Sequence, residues 1–327
     1  MSKHTSPTAA NLLVRKRNSP PMHSGSLVGG SLALLLVSTL AGTLARGKKH
    51  APVIRVAAEQ ESARDLRRGA AMIAASVLLD SAFEHFNGNY ENRAMFAAPC
   101  TAALALAAAL SGTRMRIARA AAFGVSALVG TIGMAFHLYN VSKRPGGFSW
   151  NNLFYAAPLG APGGLAVAGA LGLSAMALEG DGPPQLRAAL KSGRVLSFAT
   201  AGALMATTAE AWLMHFRGAF HDPAMYAPVT LPPVTAAAMV AAAAAPGAKR
   251  FSLAGKLVGL TTIMGFVGSG FHVFGVHRNM GGWRNWTQML FQGPPIPAPP
   301  SFAAIALAGR AALRLLKAGH IGSTKHG

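Results

Sequence analysis

The chain has 327 residues, 51% of them hydrophobic and 12% charged, with a mean hydropathy of +0.35. Soluble globular domains carry about 25% charged residues, so the composition excludes an ordinary soluble protein and points to helices that cross a bilayer. The net charge of +20 invites a nucleic-acid reading. The Lys and Arg residues lie between apolar runs, however, with no basic stripe interleaved with aromatics, so membrane topology accounts for them and no nucleic-acid partner is expected.

Residues 1–25 form a polar tail with the cluster Arg15-Lys16-Arg17 and Pro20-Pro21, and read as disordered. The apolar run that follows, 26–46 with its boundary residue, is a leader helix about one bilayer thick, either a signal peptide or a signal anchor. A basic segment covers 47–68. Eight further spans are predicted, over about 69–86, 95–111, 119–138, 156–178, 196–216, 226–246, 254–275 and 299–316. The first four make a unit at 69–178, and a linker at 179–195 leads to a second unit at 196–317. A short tail, 318–327, ends the chain. The run GPPIPAPP at 293–300 predicts an extended approach to the last span. Cys100 is the single cysteine, so no intramolecular disulfide is possible.

The two units echo each other. DSAFEHFNGNYENRAMFAAP (80–99) matches EAWLMHFRGAFHDPAMYAP (210–228), and GTIGMAFH (130–137) matches GFVGSGFH (265–272). PGGFSW (145–150) likewise matches MGGWRNW (280–286). Ordered offsets of this kind mark an internal repeat. With four helices per copy, both copies enter the membrane in one direction. The expected fold is therefore an all-α multi-pass bundle of two tandem four-helix repeats in parallel orientation, plus the leader helix.

Charge sets the orientation. Twenty Lys or Arg fall on one face, in 46–68, the 114–119, 187–194 and 249–256 loops and the C-terminal stretch, against six on the other, Arg93, Lys143, Arg144, Arg217, Arg278 and Arg284. The richer face is expected to be cytoplasmic and the protein to lie in the inner (plasma) membrane, with both echoes on the non-cytoplasmic side. Phe148, Trp150, Tyr155, Trp283, Trp286 and Phe291 on that side suit an interfacial aromatic belt.

Candidate chemistry sits near that face. Asp80, Glu84 and Glu210 are the acids inside predicted spans, where a charge costs on the order of 3 kcal/mol at the bilayer centre. Asp80 and Glu210 are equivalent in the repeat, whereas Met214 stands opposite Glu84. His85 and His215 follow five residues after Asp80 and Glu210, which turns them about 140° away on an ideal helix. His137 and His272 end the third span of each unit, above Gly130 and Gly133 in the first and Gly265 and Gly268 in the second. Such a glycine groove accepts a flat macrocycle or, more commonly, another helix. Neutral imidazole is a frequent metal ligand and a nearby acid fixes its tautomer. The four histidines are thus candidate ligands for haem or a transition metal ion, with Asp80, Glu84 and Glu210 behind them as proton carriers. Asn87, Gly88, Tyr90 and Asn92 read as substrate-binding or turn-forming residues, and His221 and His277 as loop residues without counterparts.

The arrangement loosely resembles membrane cytochromes whose helices ligate haem through histidine. That resemblance implies an outward-facing histidine/carboxylate site serving electron transfer or a periplasmic oxidoreductase. A proton- or cation-coupled transporter uses the same buried acids differently, with the path at the repeat interface. A structural or assembly subunit uses them only to hold helices together.

Overall fold

The structure is a computed structural model describing residues 52–113, 115–156 and 158–324. The tail 1–25 and the leader helix 26–46 lie outside the described residues. Eight long helices carry the fold: α1 (Pro52–Asn87), α2 (Ala97–Leu110), α3 (Arg116–Lys143), α5 (Ala161–Glu179), α7 (Arg194–Arg217), α8 (Ala227–Ala244), α9 (Ala248–Arg278) and α11 (Pro300–Thr324). Short helices α4 (Trp150–Tyr155), α6 (Pro184–Leu190) and α10 (Trp286–Gln292) lie in the connections. Among the described residues no strand occurs, and each of the eight predicted spans falls on one long helix.

Five segments, Arg93–Leu110, Arg116–Lys143, Ala161–Glu179, Pro223–Ala244 and Ala248–Arg278, are long and apolar enough to cross a membrane. The chain is a multi-pass helical membrane protein. The three remaining helices, α1, α7 and α11, are long but more polar. Their position explains the difference, because they supply much of the interior: Leu66, Ala70 and Ile73 from α1, Leu204 from α7, and Ala304, Ala308 and Ala312 from α11 are all buried. A helix wrapped by other helices tolerates polar groups that lipid would reject.

Packing follows one order in both halves of the chain. α1 lies on α2, α2 on α3, α3 on α5, and α5 closes back on α1. α7 lies on α8, α8 on α9, α9 on α11, and α11 closes back on α7. The halves join mainly where α11 runs along α1. There Gly69 lets the backbones touch, since a Cβ on it would sit 2.9 Å from the Ala304 carbonyl oxygen.

α1 does not stop where the predicted basic segment meets the first span. Its 36 residues make a rod about 54 Å long at 1.5 Å per residue, well beyond the hydrocarbon core. The amino-terminal part is buried by other helices and by ion pairs. Glu59 accepts from Arg187 at 2.9 Å, and Asp65 accepts from Arg310 at 2.6 Å and Arg314 at 2.9 Å. Glu179, at the end of α5, accepts from the fully buried Arg119 at 2.8 Å. Burial alone would push the Asp65 carboxyl up, but the hydrogen bonds from Arg310 and Arg314 outweigh it and hold the group below its ordinary value. The sequence reading treated these cations only as topology signals. Their partners lie as far as 249 residues away in sequence, beyond any local pattern.

At the opposite end the short helices cross over. Phe154 of α4 stacks on Phe216 of α7 with centroids 5.3 Å apart. Phe291 of α10 stacks on Phe86 of α1 at 5.2 Å. Each half thus lays an aromatic clasp on the first long helix of the other.

Candidate functional site

The four predicted histidines share one local design. His85 lies 2.6 Å from the Met95 carbonyl through Nδ1, and His215 lies 2.9 Å from that of Met225. His137 meets the Pro158 carbonyl at 2.6 Å and His272 meets Pro295 at 2.7 Å, again through Nδ1. A carbonyl only accepts, so Nδ1 carries the proton and donates, and in the neutral ring Nε2 keeps the lone pair. His137 lies in electrostatic reach of His85, and His272 of His215.

The turns beside His85 and His215 are built alike. Asn89 and Tyr90 take positive φ, as do Ala219 and Phe220, a left-handed pair that non-glycine residues seldom adopt. Stacking holds each turn: Tyr90 on Phe96 at 4.0 Å, and Phe220 on Tyr226 at 4.7 Å. Asn92 Oδ1 accepts from Ala94 N–H and Asp222 Oδ1 from Ala224 N–H, both at 2.9 Å. Tyr90 and Asn92 are therefore occupied in shaping the turn. His221, whose Nδ1 bonds the Gly218 carbonyl at 3.0 Å, stays in its own exposed loop.

The glycine groove holds a helix. A Cβ on Gly130 would collide with the backbone of Ala166, and one on Gly133 would lie 3.0 Å from Pro162 Cβ. Gly265 faces the Ala303 nitrogen at 2.8 Å and Gly268 faces Pro299 Cβ at 2.9 Å on the same construction. Both stripes are filled by the first turns of α5 and α11. Of the two occupants expected for the groove, the packed helix is present, and no slot for a macrocycle lies along Gly130, Gly133, Gly265 or Gly268.

Filling the groove fixes the segments leading into α5 and α11, and these segments reach the acids. Gly160, just before α5, donates its N–H to Glu210 Oε2 at 3.0 Å, linking the first half to α7 of the second. Before α11, Ser76 of α1 donates to the Pro297 carbonyl, and Asp80 and Glu84 line a cavity of about 20 Å³ with Pro295, Ile296 and Pro297. A cavity of roughly 10–15 Å³ on this measure holds one water, so this one admits a water or a small cation. Asp80 lies in electrostatic reach of both Glu84 and Glu210. Asp80 and Glu210 thus lie in electrostatic reach of each other, each facing a non-helical segment of the other half. The approach to α11 is a turn closed by the Ala298 N–H on the Pro295 carbonyl, not the extended run expected from the sequence.

The donor set fits a metal only in part. Among the described residues no three of His, Cys, Asp or Glu come together as one metal-binding group, so a fully protein-ligated centre is not assembled. Neither the clasps nor the Gly160–Glu210 contact is legible in the sequence, although Phe291 stands among the aromatic-belt candidates. No protein-family model, curated protein or solved structure matches the chain.

Proposed function

We propose that the protein is a proton- or cation-coupled membrane transporter built from two tandem repeats in parallel orientation, with Asp80 and Glu210 as the coupling carboxylates. One observation carries the reading: two acids, one from each half, lie in electrostatic reach of each other, each facing the non-helical segment that leads into a helix of the other half. Intramembrane carboxylates are costly and are kept where they bind protons, ions or substrates. Broken helices at a repeat interface are the usual setting for such sites. The equal packing order, the reciprocal aromatic clasps and the four matched histidine anchors support the repeat, related by a rotation of about 180° near the membrane normal. The twenty-to-six charge bias supports an inner-membrane topology with the acids nearer the non-cytoplasmic face.

Infrared difference spectra of reconstituted protein across a pH titration test the reading, together with pH-jump currents on solid-supported membranes. A protonated-carboxyl band and a current are expected, both weakened in Asp80→Asn and in Glu210→Gln. Both signals unchanged in both variants would leave the acids as polar groups that hold helices together.

A second reading rests on the histidines. Four rings fixed through Nδ1, with Nε2 left as the ligating nitrogen, favour a metal or haem held between His85 and His137 and between His215 and His272. Its role would be electron transfer or support of a periplasmic oxidoreductase. An absorption spectrum with elemental analysis of purified protein separates the readings: a Soret band or stoichiometric metal selects the second, and neither leaves the first.

A further inference from the structure

Where α1 emerges from its apolar stretch it flanks the end of α2, and an open groove of about 220 Å³ lies between them. Arg67, Arg68 and Ala71 line it from α1, while Ala109, Leu110 and Gly112 line it from the end of α2. Both arginines are only loosely compensated. Arg68 is 67% exposed, and its nearest carboxylate, Asp65, lies 3.8 Å away with its oxygens already bonded by Arg310 and Arg314. Arg67 reaches Glu179 at 3.9 Å, and that carboxylate is held at 2.8 Å by Arg119. Arg64, also exposed, sits one turn before Arg68 on the same face of α1. The apolar side continues into lipid, since Leu110 is 72% exposed.

From this geometry we infer a binding site for the headgroup of an anionic phospholipid, its phosphate on Arg67 and Arg68 and an acyl chain along Ala71 and Leu110. Arginine suits phosphate because its planar fork donates two parallel hydrogen bonds. Basic pockets between transmembrane helices at the cytoplasmic interface are where anionic headgroups are held. A zwitterionic headgroup brings its own cation into a groove that already holds two, so an acidic headgroup is preferred. The site is single. Positions 130 residues further on are Ser197 and Phe198, which offer no cation. The inference stands apart from the transport reading, because none of its residues touches the acids or the histidines of the candidate site.

Native mass spectrometry of the full chain, titrated separately with phosphatidylglycerol and phosphatidylcholine, tests it. One phosphatidylglycerol is expected to bind at least tenfold more tightly than phosphatidylcholine. Arg67→Gln with Arg68→Gln should remove that preference, while Arg194→Gln, an exposed cation at the same end, should keep it. Leu110→Trp, which fills the groove and leaves every charge in place, should also expel the lipid and covers the case in which the double variant misfolds. Equal retention of the two lipids, or an unchanged preference in Leu110→Trp, overturns the site. Displacement of phosphatidylglycerol by equimolar inorganic phosphate overturns its assignment to a lipid.

Discussion

The acid-bearing helices α1 and α7 occupy matching places in the two halves, yet their acids are held differently. Glu210 on α7 accepts the Gly160 N–H at 3.0 Å. Asp80 on α1 faces the segment containing Pro297, and at the position matching Gly160 a proline has no N–H to give. Glu84 adds a second carboxylate to the α1 side, where α7 has Met214. One half thus carries an acid anchored by backbone, and the other an acid beside a small cavity and a like charge. In a device that binds and releases a proton or cation, such asymmetry lets one carboxylate set the geometry while the other exchanges.

The largest effects should come from disturbing the helix that fills each groove. Gly130→Ala places a methyl group into the backbone of Ala166, whereas Gly265→Ala meets the Ala303 nitrogen at 2.8 Å. Overpacking costs about 1–3 kcal/mol, with Gly130→Ala expected at or above the upper end and Gly265→Ala near the lower. Thermal unfolding in detergent should therefore show the larger fall in Tm for Gly130→Ala. Equal falls would mean that α5 and α11 yield equally.

Most of the ion pairs at the basic end involve α1, and among the described residues none involves α7. Asp65→Ala leaves Arg310 and Arg314 without their shared carboxylate. Arg310 is half exposed and Arg314 keeps Glu61 at 2.9 Å, so the loss should fall below the roughly 3 kcal/mol of a stranded buried charge. The folded-state value of Asp65 is depressed. Its stabilisation is therefore present above the ordinary carboxylate value of about 3.9 and is lost as pH falls through the lower, folded-state value. Wild type should lose Tm in acid more steeply than Asp65→Ala. Parallel curves would show that the carboxylate contributes nothing in the folded state.

How much of this was legible in the sequence depended on distance along the chain. The eight helices were legible because apolar length is a local property, and so was the histidine pairing, because His137 and His272 carry the same glycines one and two turns below. The groove's occupant was not, since Pro162 and Pro299 declare themselves as fillers only after α5 and α11 fold back. Asp65 with Arg314 and Phe86 with Phe291 are long-range pairs, and neither is encoded by spacing. The burial of the amino-terminal part of α1 was also hidden: a run with four Arg and three acids over 52–68 looks solvated until its partners on α6 and α11 are in place.

A smaller effect should follow from supplying the missing donor. Pro297→Gly restores an N–H beside Asp80, a hydrogen bond to a charged group being worth about 1.5–3 kcal/mol before the flexibility added by glycine is offset. In infrared spectra the Asp80 carboxyl band should then shift as it accepts the new hydrogen bond. An unmoved Asp80 signal would mean that the segment before α11 does not present its backbone to α1 as Gly160 does to α7.

The smallest expected change tests whether the matched halves are also matched sites. If the second reading holds, His85 with His137 and His215 with His272 form two separate two-nitrogen sites, one per half. Each ring is oriented by its own carbonyl, so removing one pair leaves the other intact. His137→Ala and His272→Ala should each remove about half of any bound haem or metal, one of the two sites being lost and the other left intact. His221→Ala should remove none, because that ring is tied to Gly218 within its own exposed loop. The two sites should also differ in environment, since the first lies on the side that carries both Asp80 and Glu84. Stoichiometry measured by elemental analysis of each variant decides the matter. Complete loss from either single histidine variant would mean one shared central site. Full retention in the double variant would return the four histidines to the role their Nδ1 bonds already perform, His85 and His215 pinning the Met95 and Met225 carbonyls and His137 and His272 the Pro158 and Pro295 carbonyls.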